Sequence, residues 1–242
     1  MGYALYALPA LGAVKHVGVF TPGPDGFDQL ERSLDLFRSE GVALVIQLGE
    51  ALLGRGTART TDIDHIRRLL GRRRQAMLVC TDDLGRAADL QRLGVQGEDS
   101  LAVRPNIVHL DGGFRTRLSN NDVFTVVCPS PSTPAHASLG PASSGRGGLT
   151  GRVGLAFCAI ELDVAPAVRE HTPKLLISAG NGPFLDETYN QQDPESGWIS
   201  TRVIVFGDVF VDRGGQRVDH AIVDLNEGTV RLLPQREAGG EA

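Results

Sequence analysis

The chain is almost without lysine: Lys15 and Lys174 are the only two, although Lys and Arg together number 24. Its cationic charge is therefore nearly all Arg, beside abundant Ala, Gly and Leu, which reads as codon bias and assigns no function. With 29 acidic groups the net charge is -5, which argues against a dominant nucleic-acid surface. The one basic cluster, Arg72-Arg73-Arg74, follows an amphipathic stretch. That position predicts a solvated helix C-terminus, favoured by the helix dipole, over a phosphate-binding role. Cysteine is also scarce. Cys80, Cys128 and Cys158 lie far apart with no CxxC pair, so no zinc ribbon is expected and the thiols read as buried and free in a reducing cytoplasm. No apolar run approaches the length of a membrane span. Residues 1–10 are apolar but lack a basic leader and reach Pro9 and Lys15 too soon, so a cytoplasmic protein without membrane contact is expected. Two catalytic motifs are missing as well. Ser143 to Gly148 is Gly-rich without the Lys and preceding strand of a phosphate cradle, and no G-x-S-x-G elbow occurs.

What is present is a layered pattern. At 242 residues and 41% hydrophobic composition the chain can bury a sizeable core. The reading is a single domain over 1–236 with a frayed tail at 237–242. Apolar runs at 15–20, 42–48 and 77–80 predict three strands. Helical spacing of Leu30, Leu34 and Phe37, and amphipathic stretches at 61–70 and 84–93, predict the helices between them. Thr60 or Thr61 is the expected cap of the second helix. Three such units imply parallel strands. Beyond Val103, short strands at 106–110, 114–118 and 123–127 are separated by Asp111-Gly112-Gly113 and Ser119-Asn120-Asn121-Asp122, which read as hairpin turns. Residues 129–151, rich in Pro, Ser, Gly and Ala, read as a long flexible loop. A strand at 153–159, a helix at 164–170 and a strand at 174–178 follow, then a second loop at 180–197. Strands at 202–206, 217–225 and 229–233 close the chain, the last two joined at Asn226-Glu227-Gly228.

In such sheets ligands bind beyond the carboxyl ends of strands, which directs attention to the loops at 21–26, 49–53, 81–85, 178–183 and 207–212. Val45-Ile46-Gln47-Leu48-Gly49-Glu50, Met77-Leu78-Val79-Cys80-Thr81-Asp82-Asp83 and Val205-Phe206-Gly207-Asp208-Val209-Phe210 are apolar strands running into polar loops. Their order over nearly the whole chain resembles the calcineurin-like metallophosphoesterase family, with its D-x-H, G-D, G-N-H-D, lone His and G-H-x-H motifs. Arg104 to Leu110 and Leu175-Leu176-Ile177-Ser178 fall where that family has further segments of the framework.

The resemblance implies a four-layer α/β/β/α sandwich of two mixed sheets. It also implies a pair of divalent metals that activate water and clamp a phosphoryl group. The ligands themselves differ in this chain. Thr21 and Gly23 stand at D-x-H, Glu50 replaces the bridging Asp, Thr81-Asp82-Asp83 replaces N-H-D, Ala179-Gly180-Asn181 lacks the lone His, and Asp208 and Phe210 replace the two His of G-H-x-H. None of His16, His65, His109, His136, His171 and His220 falls at a ligand position.

The degenerate site points to a catalytically inactive phosphoesterase-like protein with no cofactor, acting as a structural, regulatory or partner-binding component. Its expected partner is another protein, with nucleic acid disfavoured and a homo-oligomer open. Phe184, Leu185, Tyr189 and Trp198 are the candidate apolar anchors. The alternative is a phosphodiesterase or phosphatase with a carboxylate-rich Mn or Mg site built from Glu50, Asp82, Asp83 and Asp208, with Asp25 or Asp28 nearby.

Overall fold

The computed structural model describes residues 14–21, 26–49, 60–79, 107–109, 114–117, 123–127, 153–158, 168, 172–180, 182–193, 197–207 and 218–234. Strands β1 (His16–Phe20), β2 (Leu44–Gln47) and β3 (Ala76–Val79) alternate with helices α1 (Phe27–Ser39) and α2 (Thr60–Arg73). Each of these strands is apolar on both faces because both are covered. Val17, Val19, Leu44, Ile46 and Leu78 point to one side, while Phe20, Val45, Met77 and Val79 meet Leu30, Leu34 and Phe37 of α1 and Ile66, Leu69 and Leu70 of α2 on the other.

The remaining strands are β4 (Ile107–His109), β5 (Phe114–Arg117), β6 (Val123–Val127), β7 (Val153–Cys158), β8 (Leu175–Ala179), β9 (Leu185–Asp193), β10 (Gly197–Phe206), β11 (Val218–Asp224) and β12 (Val230–Pro234). They complete two six-stranded sheets, ordered β12-β11-β1-β2-β3-β4 and β5-β6-β7-β8-β10-β9. Both are mixed. β1 to β4 run parallel, with the antiparallel hairpin of β11 and β12 beside them, whereas β6, β7, β8 and β10 are parallel with antiparallel strands at each edge. The sheets face each other across a shared core in which Val17, Ile46 and Val223 of the first meet Leu175, Ile177, Ile204 and Phe206 of the second.

Several sequence expectations need correction. β4 and β5 do not pair as the hairpin expected around Asp111-Gly112-Gly113, because β4 closes the edge of the first sheet and β5 opens the second. The expected loop at 180–197 holds β9, which pairs with β10 over nine residues. Its run Asp186-Glu187-Thr188-Tyr189-Asn190-Gln191-Gln192 is too polar to show the alternation of a half-buried strand, and its position at the sheet edge explains why. Helix α2 starts at Thr60 itself, which is therefore a helical residue and not the cap. The expected helix at 84–93, the loop at 129–151 and the tail at 237–242 lie outside the described residues.

In the basic cluster Arg72 and Arg74 are exposed at the end of α2, as the sequence predicts, and Arg73 is the member that differs. Arg73 is only 8% exposed, and its guanidinium crosses to α1, bonding Asp35 through Nε (2.7 Å) and Nη2 (2.9 Å) and Glu31 through Nη2 (2.9 Å). Its fork bridges two helices where the sequence predicts a solvated terminus, because α1 presents two carboxylates one turn apart. The hydrogen bond from Arg73 holds the Asp35 carboxyl below its ordinary 3.8, against a smaller opposing effect of burial. A carboxyl depressed in the folded state stabilises fully above its unfolded value and loses that contribution as acid titrates it. Arg73→Ala is therefore expected to cost about 1 kcal/mol at neutral pH, the carboxylates being half exposed. Denaturant titrations should show the gap to wild type closing as pH falls through and below 3.8.

Candidate functional site

Arg202, where β10 begins to pair with β8, reaches the Val230 carbonyl at the start of β12 (3.5 Å). Because β12 runs parallel to β1, the carboxyl ends of β1, β2 and β3 and those of β8 and β10 fall at one end of the sandwich. At that end the first sheet presents Thr21, Leu48 and Gly49. The Leu48 amide donates to the Phe20 carbonyl (2.9 Å), and the Thr21 amide donates to the Asp219 carbonyl (3.3 Å). Gly49 has φ 106°, a backbone conformation L side chains rarely adopt, so the glycine ahead of Glu50 is required by the turn. On the second sheet the Gly180 amide donates to the Phe206 carbonyl (2.9 Å). Gly207, buried after β10, packs so closely on Gly182 that a Cβ would fall on the Gly182 carbonyl.

Of the predicted metal-site residues, Glu50, Asp82, Asp83, Asp208 and Asp25 lie outside the described residues, as does Gly23. Asp28 is in the first turn of α1. Thr21, at the first ligand position of the resemblance, is 5% exposed, and its hydroxyl meets no hydrogen-bond partner among the described residues. Among those residues no three His, Cys, Asp or Glu side chains converge as a metal would need. A neutral buried hydroxyl does not fit the place of a metal-binding carboxylate.

The chemistry visible at this end is not announced by any sequence motif. A bulge between Val218 and His220 shifts the register of β11 against β12 and brings Asp219 and His220 to α1 together. The Asp219 carboxylate accepts from His220 Nδ1, the other ring nitrogen lies 2.6 Å from Ser33 Oγ, and Ser33 donates to the Gln29 carbonyl (2.8 Å). Gln29 Nε2 donates back to Asp219 Oδ2 (3.1 Å). The imidazole stacks on Phe20 (6.0 Å, 9°) and lies against Phe37. A Ser, His and Asp in this order resemble a hydrolytic triad, but Asp219, Ser33 and His220 are 0%, 1% and 2% exposed beneath α1. No substrate reaches the Ser33 hydroxyl, and the ring of hydrogen bonds ties β11 to α1, with Phe20 of β1 stacked on the imidazole. The sequence reads His220 as a packed imidazole or a surface one, and the structure shows it packed; its partner Ser33 lies 187 positions away, beyond any local pattern.

The other described histidines sit elsewhere. His16 pairs with Asp224 (3.3 Å) at the opposite end of β1 from Thr21, and His65 is on α2 with Phe27 edge-on to its ring (5.1 Å). Of the apolar anchors, Phe184 is half-buried against Phe206 (6.4 Å), and Leu185 and Tyr189 sit on β9 opposite Val205 and Thr201. Trp198 is 75% exposed. Tyr189 and Trp198 occupy opposite faces of the hairpin, since Trp198 pairs with Gln192.

No protein-family model matches this chain, and no curated protein does. Solved structures do. TT1561 of Thermus thermophilus is 14% identical over 93% of this chain and 100% of its own, with a TM-score of 0.53. A dimetal phosphatase from Danio rerio (15% identical, 91% and 96% covered, TM-score 0.49) and a protein described as a novel archaeal phosphodiesterase (11%, 91% and 99%, 0.46) are also similar. At 14% identity the likeness to TT1561 is one of fold alone. Among the described residues no helix is long and apolar enough to cross a membrane.

Proposed function

We propose that this chain is a phosphoesterase-like protein that has lost dinuclear metal chemistry and acts as a cytoplasmic regulatory or partner-binding component. The observation that carries the reading is Thr21. At the carboxyl end of β1, where the family resemblance places the first metal-binding carboxylate, the chain has a buried neutral hydroxyl whose backbone is tied to Asp219. Losing even an outer partner of a metal ligand costs about 10- to 100-fold in affinity or activity, and here a first ligand is replaced. The full architecture is the four-layer α/β/β/α sandwich. Support for its last layer is Val168, helical and buried, whose carbonyl accepts from Gln191 (3.2 Å) of the second sheet. Phe184, Leu185, Tyr189 and Trp198 remain the anchors offered to a protein partner.

The test is metal content of the purified chain together with hydrolysis of an aryl phosphodiester in added manganese. Substoichiometric metal and no turnover above the blank are expected. Stoichiometric metal with turnover abolished by Glu50→Ala would instead establish a metal-dependent phosphodiesterase or phosphatase using Glu50, Asp82, Asp83 and Asp208.

A further inference from the structure

Every bond in the buried ring beneath α1 needs one donor and one acceptor, so its hydrogens can be counted. Asp219 takes Gln29 Nε2 on Oδ2 (3.1 Å) and His220 Nδ1 on Oδ1, which makes the carboxylate an acceptor at both oxygens. Ser33 has a single hydroxyl hydrogen. It points to the Gln29 carbonyl one turn back in α1 (2.8 Å), the back-bond a helical serine commonly makes. Only lone pairs of Ser33 Oγ are then left for His220 Nε2, 2.6 Å away. The imidazole donates from both nitrogens, whereas a neutral ring has one N–H and one bare nitrogen.

Two further observations agree with that count. The bond between Nε2 and Ser33 Oγ is short for an N–H donor and an oxygen, as charge-assisted bonds are. A buried imidazolium also needs an anion in contact with it, and Asp219, 0% exposed, is bonded to Nδ1. On its other sides the ring meets Phe20 of β1 and Phe37 of α1, with Leu233 opposite on β12, and none of these three titrates.

We infer that His220 is an imidazolium at neutral pH, and that Asp219 and His220 form a buried ion pair whose extra proton is part of the joint between β11 and α1. Without that proton one ring nitrogen is bare. Ser33 must then either turn its hydroxyl from the Gln29 carbonyl to Nε2 or give up the ring. The joint is thus a proton-dependent clasp on the first two turns of α1, where Gln29 and Ser33 lie. It uses no metal and no substrate, so it stands apart from the function proposed above.

Long-range proton–nitrogen NMR spectra of the full chain, labelled with nitrogen-15 histidine and held at neutral pH, test the inference without any substitution. The His220 signals are recognised by their nuclear Overhauser contacts with Phe20 and Phe37. Both ring nitrogens should be pyrrole-type, each carrying a hydrogen. A pyridine-type nitrogen at either position overturns the inference: at Nε2 it would show Ser33 donating to the ring, and at Nδ1 it would show Asp219 holding the proton as a carboxylic acid. Asp219→Asn, which removes the counter-ion, should convert the ring to its neutral form with one pyridine-type nitrogen. An imidazolium that survives this substitution overturns the ion pair.

Discussion

Asp219→Asn is expected to lower the unfolding free energy by about 3 kcal/mol, because it leaves a buried donor unsatisfied. Asp219 is fully buried, and its carboxylate accepts from both His220 and Gln29. An amide in its place turns a donor toward at least one of those donors and leaves it unsatisfied where water cannot reach. Ser33→Ala, which removes only one link of the same ring, should cost about 1–2 kcal/mol. Denaturant unfolding of the three proteins at one pH checks the order. Near-equal stability of Asp219→Asn and wild type would show that the ring does not hold these elements together.

Gly207→Ala is the second. The added methyl would overlap the Gly182 carbonyl, a backbone group that cannot swing aside, so β10 or the segment before β9 must move. A loss of more than about 3 kcal/mol is expected, beyond ordinary overpacking against a flexible side chain. The reciprocal change is the control. A methyl on Gly182 meets nothing within 4 Å, so Gly182→Ala should shift stability by less than about 1 kcal/mol despite touching the same contact. Equal thermal shifts for the two variants would contradict the geometry.

These two sites mark where sequence reading stops. Val17, Val45, Leu78 and their neighbours announce β1 to β3 because a strand covered on both faces must be apolar throughout, and Leu30, Leu34 and Phe37 announce α1 by spacing. Gly49 falls in a strand-end motif that the sequence singles out, but that motif does not announce its φ of 106°. β9 is hidden because an edge strand of Asp, Glu, Asn and Gln satisfies no burial pattern. Gly207 can be matched to a motif, but its contact is with Gly182 of a different loop. Asp219 stands out only after the bulge in β11 has turned it toward α1. Arg73 is visible as charge, yet its partners Glu31 and Asp35 lie on another helix, and spacing within α2 cannot show them.

The place of β1 in the first sheet also constrains the order of assembly. Its neighbours are β2, a short distance along the chain, and β11, whose Asp219 bonds to Gln29 across 190 positions. On a ribosome β1 to β3 emerge first but lack one flank until nearly the whole chain has been made, whereas β5 to β10 follow one another and can pair as they appear. The second sheet is thus free to form while the first waits with an open strand edge. Nascent chains halted before Val218 should be the species most dependent on chaperones.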